Sequence, residues 1–276
     1  MKHLIIFAAA FMAVTVQAQT LTPKWKTEAK LPVPESVVFD PKTNTLYVAC
    51  IDGDPAKKDG KGEIAKVGTD GKIIALEWVT GLDAPKGLGI YKGNLYVADI
   101  TKIVTISLAT GKITSSVEVE GAKFLNDITV DKKGNVYASD TETGKIHSLK
   151  GNKAEVYFES TEFKGVNGLL ALDDGLYVVD FATGNNYKLS ADKKLTKLGI
   201  SSEGADGVVP VGKDEYLVSN WNGEVYFVSG KGEPKKLVDT KDKKVNAADI
   251  EYDPKTKTLY IPTFFANTVE AYTFSK

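Results

Sequence analysis

The most informative features of this sequence are the residue types that it lacks. Among 276 residues there is no arginine, one cysteine and only two histidines. A single cysteine, Cys50, cannot form an internal disulfide. His147 is the only histidine beyond the first three residues. Most catalytic sites and zinc sites built on several histidines or thiolates are therefore excluded.

An excess of charge of either sign is also missing. The 35 basic and 36 acidic residues are interspersed and give a net charge of −1. Neither nucleic acid nor an anionic membrane surface is then an expected partner, because both select strongly basic proteins. We expect a small-molecule substrate and a monomeric protein instead.

Only one apolar run stands out, and it lies at the N-terminus. The run from Leu4 to Val16 follows a short basic start and is followed by Val-Gln-Ala at 16–18. This pattern predicts a signal peptide over 1–18, and the run is too short for a membrane span. No later segment approaches the length of a span. We therefore expect a periplasmic or secreted protein whose mature part, 19–276, is one domain.

A five-residue pattern recurs six times along the chain. Each copy is an alternating run of the type Leu-Tyr-Val-Ala-Asp that follows a tight polar turn. The copies end at Cys50, Asp99, Asp140, Asp180, Asn220 and Thr263. The last four intervals, of 41, 40, 40 and 43 residues, fit four short strands per repeat. Since no segment shows sustained helical periodicity, the pattern predicts an all-β fold, a six-bladed β-propeller with four antiparallel strands per blade.

The two ends of the chain predict how the ring closes. The sixth repeat runs out after its third strand, at 268–274, whereas the alternating segment 25–31 belongs to no repeat. An incomplete blade would leave unpaired strand edges. We therefore expect an N-terminal strand to complete the last blade.

One position in each blade begins the innermost strand and should line the mouth of the central channel. We call these positions the inner ring: Glu35, Lys86, Asn126, Asn167, Asp206 and Ala248. Two carboxylates and two amides around one axis supply only oxygen ligands, which favour a hard divalent cation, Ca²⁺ or Mg²⁺, over zinc or copper. The alternative is that these side chains cap strand ends or bridge blades. Lys86 and Ala248 interrupt the ring, and we expect substrate to enter on their side.

A second position in each blade ends the repeat described above. We call this set the outer ring: Cys50, Asp99, Asp140, Asp180, Asn220 and Thr263. Aspartate repeated at a fixed blade position favours a structural hydrogen-bonding role. Phe181, Trp221 and Phe264 follow three of these residues and either line the mouth or pack between blades.

Four short motifs occur in order, one per blade. They are Pro-Glu-Ser-Val at 34–37, Leu-Asn-Asp-Ile at 125–128, Val-Asn-Gly-Leu at 166–169 and Ala-Asp-Gly-Val at 205–208. Together they resemble the regucalcin and gluconolactonase (senescence marker protein-like) family of calcium-dependent lactonases, over essentially the whole mature chain. The resemblance implies a divalent cation held by Glu35, Asn167 and Asp206, with Ca²⁺ first and Mg²⁺, Mn²⁺ or Zn²⁺ as alternatives. It also implies that Asn126 and Asp127 face the substrate or the metal.

The chain departs from that family near the third-blade motif. Sugar-lactone members carry an arginine there to hold substrate hydroxyls, whereas this chain has Phe124. Lys86 would have to replace that arginine in holding an anionic group. If Phe124, Phe181 and Trp221 face the mouth and bind substrate, the substrate is less polar than a sugar-acid lactone, or it stacks a ring face on them.

The sequence therefore predicts an exported metal-dependent hydrolase of a lactone or a similar cyclic ester. The cation would bind the ring carbonyl and stabilise the developing oxyanion. On the strength of the resemblance, Asp206, or alternatively Asp127, is the predicted general base. Two other classes remain open: a non-catalytic ligand- or protein-binding propeller of the NHL type, and a strictosidine-synthase-like propeller with a carboxylate in an apolar pocket.

Three further features carry less weight. In segment 52–63, acids occupy the first, third and twelfth places of a calcium loop, but Ala56 and Lys57 stand where an oxygen ligand and a glycine are required. We interpret the segment as a solvated insertion on the mouth face. His147 should lie too far from the axis for a catalytic triad, and Cys50 has no histidine partner to activate it.

Overall fold

The computed structural model describes residues 18–230 and 233–276, so the predicted signal peptide over 1–18 lies outside the described residues apart from its last position. Within these ranges the chain forms 24 strands and two short 3-10 turns, Lys241–Lys243 and Phe264–Ala266. The strands form six four-stranded antiparallel sheets. No helix in the described ranges is long and apolar enough to cross a membrane. The predicted all-β, six-bladed propeller is confirmed.

Five blades are made of four consecutive strands each. The first consists of β2 (Pro34–Asp40), β3 (Thr45–Cys50), β4 (Gly62–Gly68) and β5 (Ile73–Leu82). The second consists of β6 (Pro85–Tyr91), β7 (Asn94–Asp99), β8 (Lys102–Ser107) and β9 (Ile113–Glu118). The third consists of β10 (Leu125–Val130), β11 (Val136–Asp140), β12 (Lys145–Lys150) and β13 (Lys153–Glu159).

The fourth and fifth blades repeat this arrangement. The fourth consists of β14 (Val166–Leu172), β15 (Gly175–Asp180), β16 (Asn185–Ser190) and β17 (Leu195–Ile200). The fifth consists of β18 (Ala205–Gly212), β19 (Glu215–Asn220), β20 (Glu224–Ser229) and β21 (Lys235–Asp239). The recurrent sequence pattern is the second strand of every blade. It is buried on both faces because each blade is covered by its neighbours.

The sixth blade is assembled from both ends of the chain. Its strands are β22 (Glu251–Asp253), β23 (Thr258–Pro262), β24 (Val269–Ser275) and, outermost, β1 (Thr20–Lys26). The last two pair antiparallel, with Thr20 opposite Ser275. The predicted closure by an N-terminal strand is therefore confirmed, although the strand spans Thr20–Lys26 and not the predicted segment 25–31. It leaves no blade with a missing strand.

The innermost strand of five blades is irregular close to its start. The shifts in register lie between Pro34 and Ser36, Pro85 and Leu88, Leu125 and Ile128, Val166 and Leu169, and Ala205 and Val208. A bulge bends the strand and changes the direction in which its side chains point. Five of the six inner-ring residues fall inside these bulges, so the repeated irregularity is what places them around the mouth.

Candidate metal centre

The inner-ring residues converge at one end of the channel, in a region from which solvent is largely excluded. Glu35, Lys86, Asn126, Asn167 and Asp206 are all buried. The Glu35 carboxyl is close enough to Asp206 and Lys86 for both of their charges to shift its pKa. Residues from separate blades therefore form one polar cluster, as the sequence predicts.

One hydrogen bond in this cluster joins the fourth and fifth blades. Asn167 Nδ2 donates a hydrogen bond of 3.1 Å to Asp206 Oδ1. Gly168 makes this approach possible, because a Cβ at that position would lie 2.1 Å from the Asp206 carbonyl oxygen. Any residue with a side chain would push the two innermost strands apart.

Two oxygen atoms of the cluster have no hydrogen-bonding partner. They are Glu35 Oε2 and Asn167 Oδ1, and both are fully buried. Since Asn167 directs its amide nitrogen at Asp206, its oxygen is left free. Buried acceptors without partners are rare because each carries a desolvation cost. A bound cation would satisfy both, so the residues present fit the predicted metal.

The pKa values of the buried carboxyls in the cluster also favour a bound cation. Burial raises the pKa values of the Glu35 and Asp206 carboxyls well above their usual range, and repulsion between the two, and from Asp249, adds to the rise in Glu35. Burial also raises the pKa of Asp249 to about 7. So many carboxylates cannot all remain charged at neutral pH without a positive partner.

The donor set is mixed rather than purely acidic. Among residues 18–230 and 233–276, no three side chains taken only from histidine, cysteine, aspartate and glutamate form a group able to hold a metal. A site that includes Glu35 and Asp206 therefore also needs the amide oxygen of Asn167. Carboxylate and amide oxygens together are ligands that suit Ca²⁺.

Asp249 belongs to this cluster and was missed at the sequence level. It accepts a hydrogen bond of 2.6 Å from Ser36 Oγ, and its backbone N–H donates to the Glu35 carbonyl at 3.0 Å. The sixth blade thus contributes its oxygen one residue after Ala248. The available signal was the alignment of Asp249 with Asp127, since each is the third residue of its four-residue motif.

Asp127 is held differently from Asp206. Its two carboxylate oxygens accept hydrogen bonds of 2.6 Å each, from the N–H groups of Ile128 and Leu169. The second of these bonds ties the third blade to the fourth. Asp206 accepts one such bond and is the less restrained of the two candidate bases.

Lys86 is 1% exposed and does not stand at an open edge. Its ammonium donates hydrogen bonds of 2.8 Å to the Pro55 carbonyl and 3.0 Å to the Ala84 carbonyl, and it lies 4.3 Å from the centre of the Phe124 ring. Burial lowers the pKa of Lys86 to about 8. Pro55 thus brings segment 52–63 against Lys86, while most residues of 52–61 are exposed, as expected for a solvated insertion on the mouth face.

The neighbourhood of Ala248 is closed as well. Ala248 packs in an apolar cluster with Ile51, Ile100 and Phe264. Apolar side chains from neighbouring loops cover the short side chain of Ala248, so the ring has no gap at this position. The expectation that substrate enters beside Lys86 and Ala248 stays a prediction.

The other predicted substrate-binding residues surround the cluster. Asn126 Nδ2 donates a hydrogen bond of 3.1 Å to Thr141 Oγ1, which leaves the Asn126 oxygen available. Phe124, Phe181 and Trp221 are half-buried. Trp221 packs edge-on against Phe264, with ring centres 5.4 Å apart.

The outer ring has the structural role that its repetition predicts. Asp180 Oδ2 accepts from the N–H groups of Lys164 and Gly165 at 2.8 and 2.9 Å. Asp140 makes the same contacts with Lys123 and Phe124. Asp99 accepts from the N–H groups that precede Lys86. Each aspartate thereby fixes the segment leading into an innermost strand.

Neither His147 nor Cys50 belongs to the inner ring. His147 is buried on β12, the third strand of its blade, with Nε2 3.6 Å from Asp140 Oδ2. Cys50 is buried at the end of β3, and burial raises the pKa of its thiol well above the usual range. Neither provides a nucleophile at neutral pH.

Solved structures of similar fold include several six-bladed propellers. A catalytically inactive histidine-to-alanine variant of virginiamycin B lyase from Staphylococcus aureus, with quinupristin, has a TM-score of 0.66 and 14% identity, over 93% of this chain and 99% of that chain. A luciferin-regenerating enzyme has a TM-score of 0.63 and 17% identity, over 94% and 96%. A protein of unknown function from Bacteroides thetaiotaomicron has a TM-score of 0.68 and 12% identity, over 94% and 76%.

These likenesses establish the fold alone, because all three identities are low. No protein-family model and no curated protein matches the sequence. Membership of the regucalcin and gluconolactonase family therefore remains a prediction, supported by the motifs and by the geometry of the metal centre.

Proposed function

We propose that the protein is a metal-dependent hydrolase of a lactone or a similar cyclic ester. The observation that carries this proposal is the pair of unpartnered oxygens, Glu35 Oε2 and Asn167 Oδ1, inside a buried acidic cluster. Propeller enzymes among the structures of similar fold are consistent with a catalytic role. Export, which depends on 1–18, and a small-molecule substrate are parts of the same proposal.

Each residue of the centre has a defined task in this mechanism. Glu35, Asn167 and Asp206 would hold a divalent cation, Ca²⁺ first. That cation would supply Lewis-acid polarisation of the ester carbonyl. Asp206 accepts one hydrogen bond from Asn167 at Oδ1, so Oδ2 is the atom that takes the proton from the attacking water.

The remaining polar residues orient the substrate and exclude water. Asn126 presents an oxygen as an acceptor for a substrate N–H or O–H, because its nitrogen is engaged by Thr141. Lys86 places a positive charge near Glu35 and limits repulsion within the cluster. Since the whole cluster is buried, electrostatic interactions in it are stronger than they would be in water.

The test is to separate cation binding from turnover. The mature protein is stripped with chelator, titrated calorimetrically with Ca²⁺, Mg²⁺, Mn²⁺ or Zn²⁺, and assayed on a lactone panel. We expect chelation to abolish hydrolysis and one cation to restore it. In Asn167→Leu, which loses the amide oxygen, cation affinity should fall by at least about 100-fold.

Two results would contradict the proposal. Hydrolysis that survives complete chelation would exclude the metal-dependent mechanism. Cation binding without turnover of any lactone would instead support a non-catalytic binding propeller.

A further inference from the structure

A third set of six positions lies on the mouth face, immediately after the outer ring. We call it the collar: Ile51, Ile100, Thr141, Phe181, Trp221 and Phe264. Five of its members are apolar, although the turns that contain them are otherwise polar. Turn positions normally favour Gly, Asn, Asp or Ser. A ring of large apolar residues in such turns therefore requires an explanation.

Four collar members form a continuous apolar wall that extends over four of the six blades. Ile51, Ile100 and Phe264 pack together with Ala248, and Trp221 packs against the same group. The wall thus extends over the fifth, sixth, first and second blades. The wall is connected to the acidic cluster through Ala248, because the next residue, Asp249, donates its backbone N–H to the Glu35 carbonyl.

The sixth-blade turn holds its aromatic residues at an energetic cost. Phe264 adopts φ of 47°, a left-handed conformation that is unfavourable for a bulky side chain. Thr263 and Thr268 fix the turn through a hydroxyl–hydroxyl hydrogen bond of 2.7 Å. A rigid, strained turn that presents aromatic rings beside a polar centre suggests a ligand-binding role.

Part of this wall remains open to solvent. Phe265 is 64% exposed, and it packs edge-on against both Trp221 and Phe264 with ring centres 6.0 and 4.8 Å apart. Exposed apolar surface next to a polar site commonly marks a ligand-binding surface. The exposed ring continues the wall outward from the mouth.

The opposite side of the mouth is polar. Thr141 is the one polar collar member, and it contacts Asn126. Lys86 is the only buried lysine in the described ranges, and its ammonium is engaged by two carbonyls and the Phe124 ring. An apolar substituent would therefore be placed on the collar side of the mouth and not here.

We propose that the collar selects cyclic esters that carry an alkyl or aryl substituent. This inference rests on the proposed function. The ester carbonyl would lie at the metal centre, and the substituent would lie against Trp221, Phe264 and Phe265. Polyhydroxylated sugar lactones would be poor substrates because their hydroxyls would face the apolar wall.

The test compares γ-lactones that differ only in the length of the alkyl chain, alongside a sugar lactone. We expect kcat/KM to rise about fourfold for each CH₂ that becomes buried, and the sugar lactone to be the poorest substrate. Trp221→Ala and Phe265→Ala should reduce this dependence on chain length by lowering kcat/KM more for long-chain than for unsubstituted lactones. Ile74→Ala, which removes a 61% exposed side chain from an outermost strand, should leave it unchanged.

The outcomes separate this inference from the proposed function. Metal-dependent hydrolysis with kcat/KM equal or higher for sugar lactones would overturn the collar assignment and leave the hydrolase intact. If no lactone is hydrolysed, a binding measurement tests the collar assignment. Alkyl lactones should quench tryptophan fluorescence in the wild type and fail to do so in Trp221→Phe. Equal quenching in both proteins, or none in either, would overturn the assignment.

Discussion

The inner and outer rings are made of similar side chains on the same face of the propeller, yet their surroundings differ. In the outer ring, Asp99, Asp140 and Asp180 each accept backbone N–H groups from the segment that leads into an innermost strand. In the inner ring, Glu35 and Asn167 each leave a buried oxygen without a partner. The repeated aspartates thus support the fold, whereas the unpartnered oxygens of the inner ring are the basis of the proposed metal site.

The strongest test of this contrast is activity. Replacing Asp206 by Asn in the inner ring should lower kcat for lactone hydrolysis by about 10² to 10⁴, because the general base is lost. The matched outer-ring variant Asp180→Asn should retain kcat within about twofold, assayed at a temperature where it is folded. Steady-state kinetics on the best lactone provides the measurement. Equal losses in both variants would remove the distinction between the rings.

The free energy of unfolding should depend more on the outer ring than on the inner ring, which is the reverse of the order expected for kcat. Asp180→Ala leaves the N–H groups of Lys164 and Gly165 without their acceptor, so the free energy of unfolding should fall by about 2 to 4 kcal/mol. In chelator, Glu35→Gln should instead raise it by about 1 kcal/mol, because one buried like charge is removed. Urea unfolding in chelator measures both.

Addition of Ca²⁺ provides the internal control for that experiment. The cation should stabilise the wild type by mass action and Glu35→Gln much less, so the order of the two proteins should reverse. A variant that stays ahead in both conditions would show that Glu35 is not a ligand.

The smallest expected difference lies in the dependence of stability on pH. Burial opposes ionisation of Asp140, but the nearby His147 and Thr143 and the Phe124 N–H lower its pKa to about 2. A lowered pKa in the folded state contributes stability above the unfolded pKa of about 4, and this contribution is lost as the pH falls toward 2. Asp249, with a pKa of about 7, contributes in the opposite sense: its contribution is lost as the pH rises from about 4 to 7.

Metal-free protein should therefore be most stable at about pH 4, where these two ranges meet. Thermal unfolding in chelator across pH 2 to 8 measures the profile. Asp140→Asn should flatten the acid side only, and a profile that rises steadily to pH 8 would contradict the assignment of raised pKa values to the inner ring.

Much of this molecule could be predicted from its sequence because the repeat reflects a physical requirement. Each second strand is covered on both faces, so it needs an apolar run followed by a turn and an aspartate. That pattern places β7 and β15 correctly and predicts the closing role of β1. It also places Glu35, Asn167 and Asp206 on one face.

What the sequence could not reveal depends on register and loop conformation. The bulges in β10 and β14 arise from pairing between strands, and the amino-acid sequence of either strand alone does not predict them. Asp249 was overlooked because the spacing of the repeats assigns Ala248, one residue earlier, to the inner ring of the sixth blade. The contact between Pro55 and Lys86 depends on the path of segment 52–63, which propensities do not determine.

The pairing of Thr20 with Ser275 has a kinetic consequence. Because β1 pairs only with β24, it cannot pair until β24 has been synthesised. Its edge therefore stays unpaired while more than two hundred further residues are added. Five blades can form from local hairpins. Formation of the sixth blade closes one very long loop, and the conformational entropy of that loop is lost in a single late step. The transition that completes this propeller is thus the joining of its two ends, and sequence changes in β1 or β24 should slow folding more than equivalent changes in any other outermost strand.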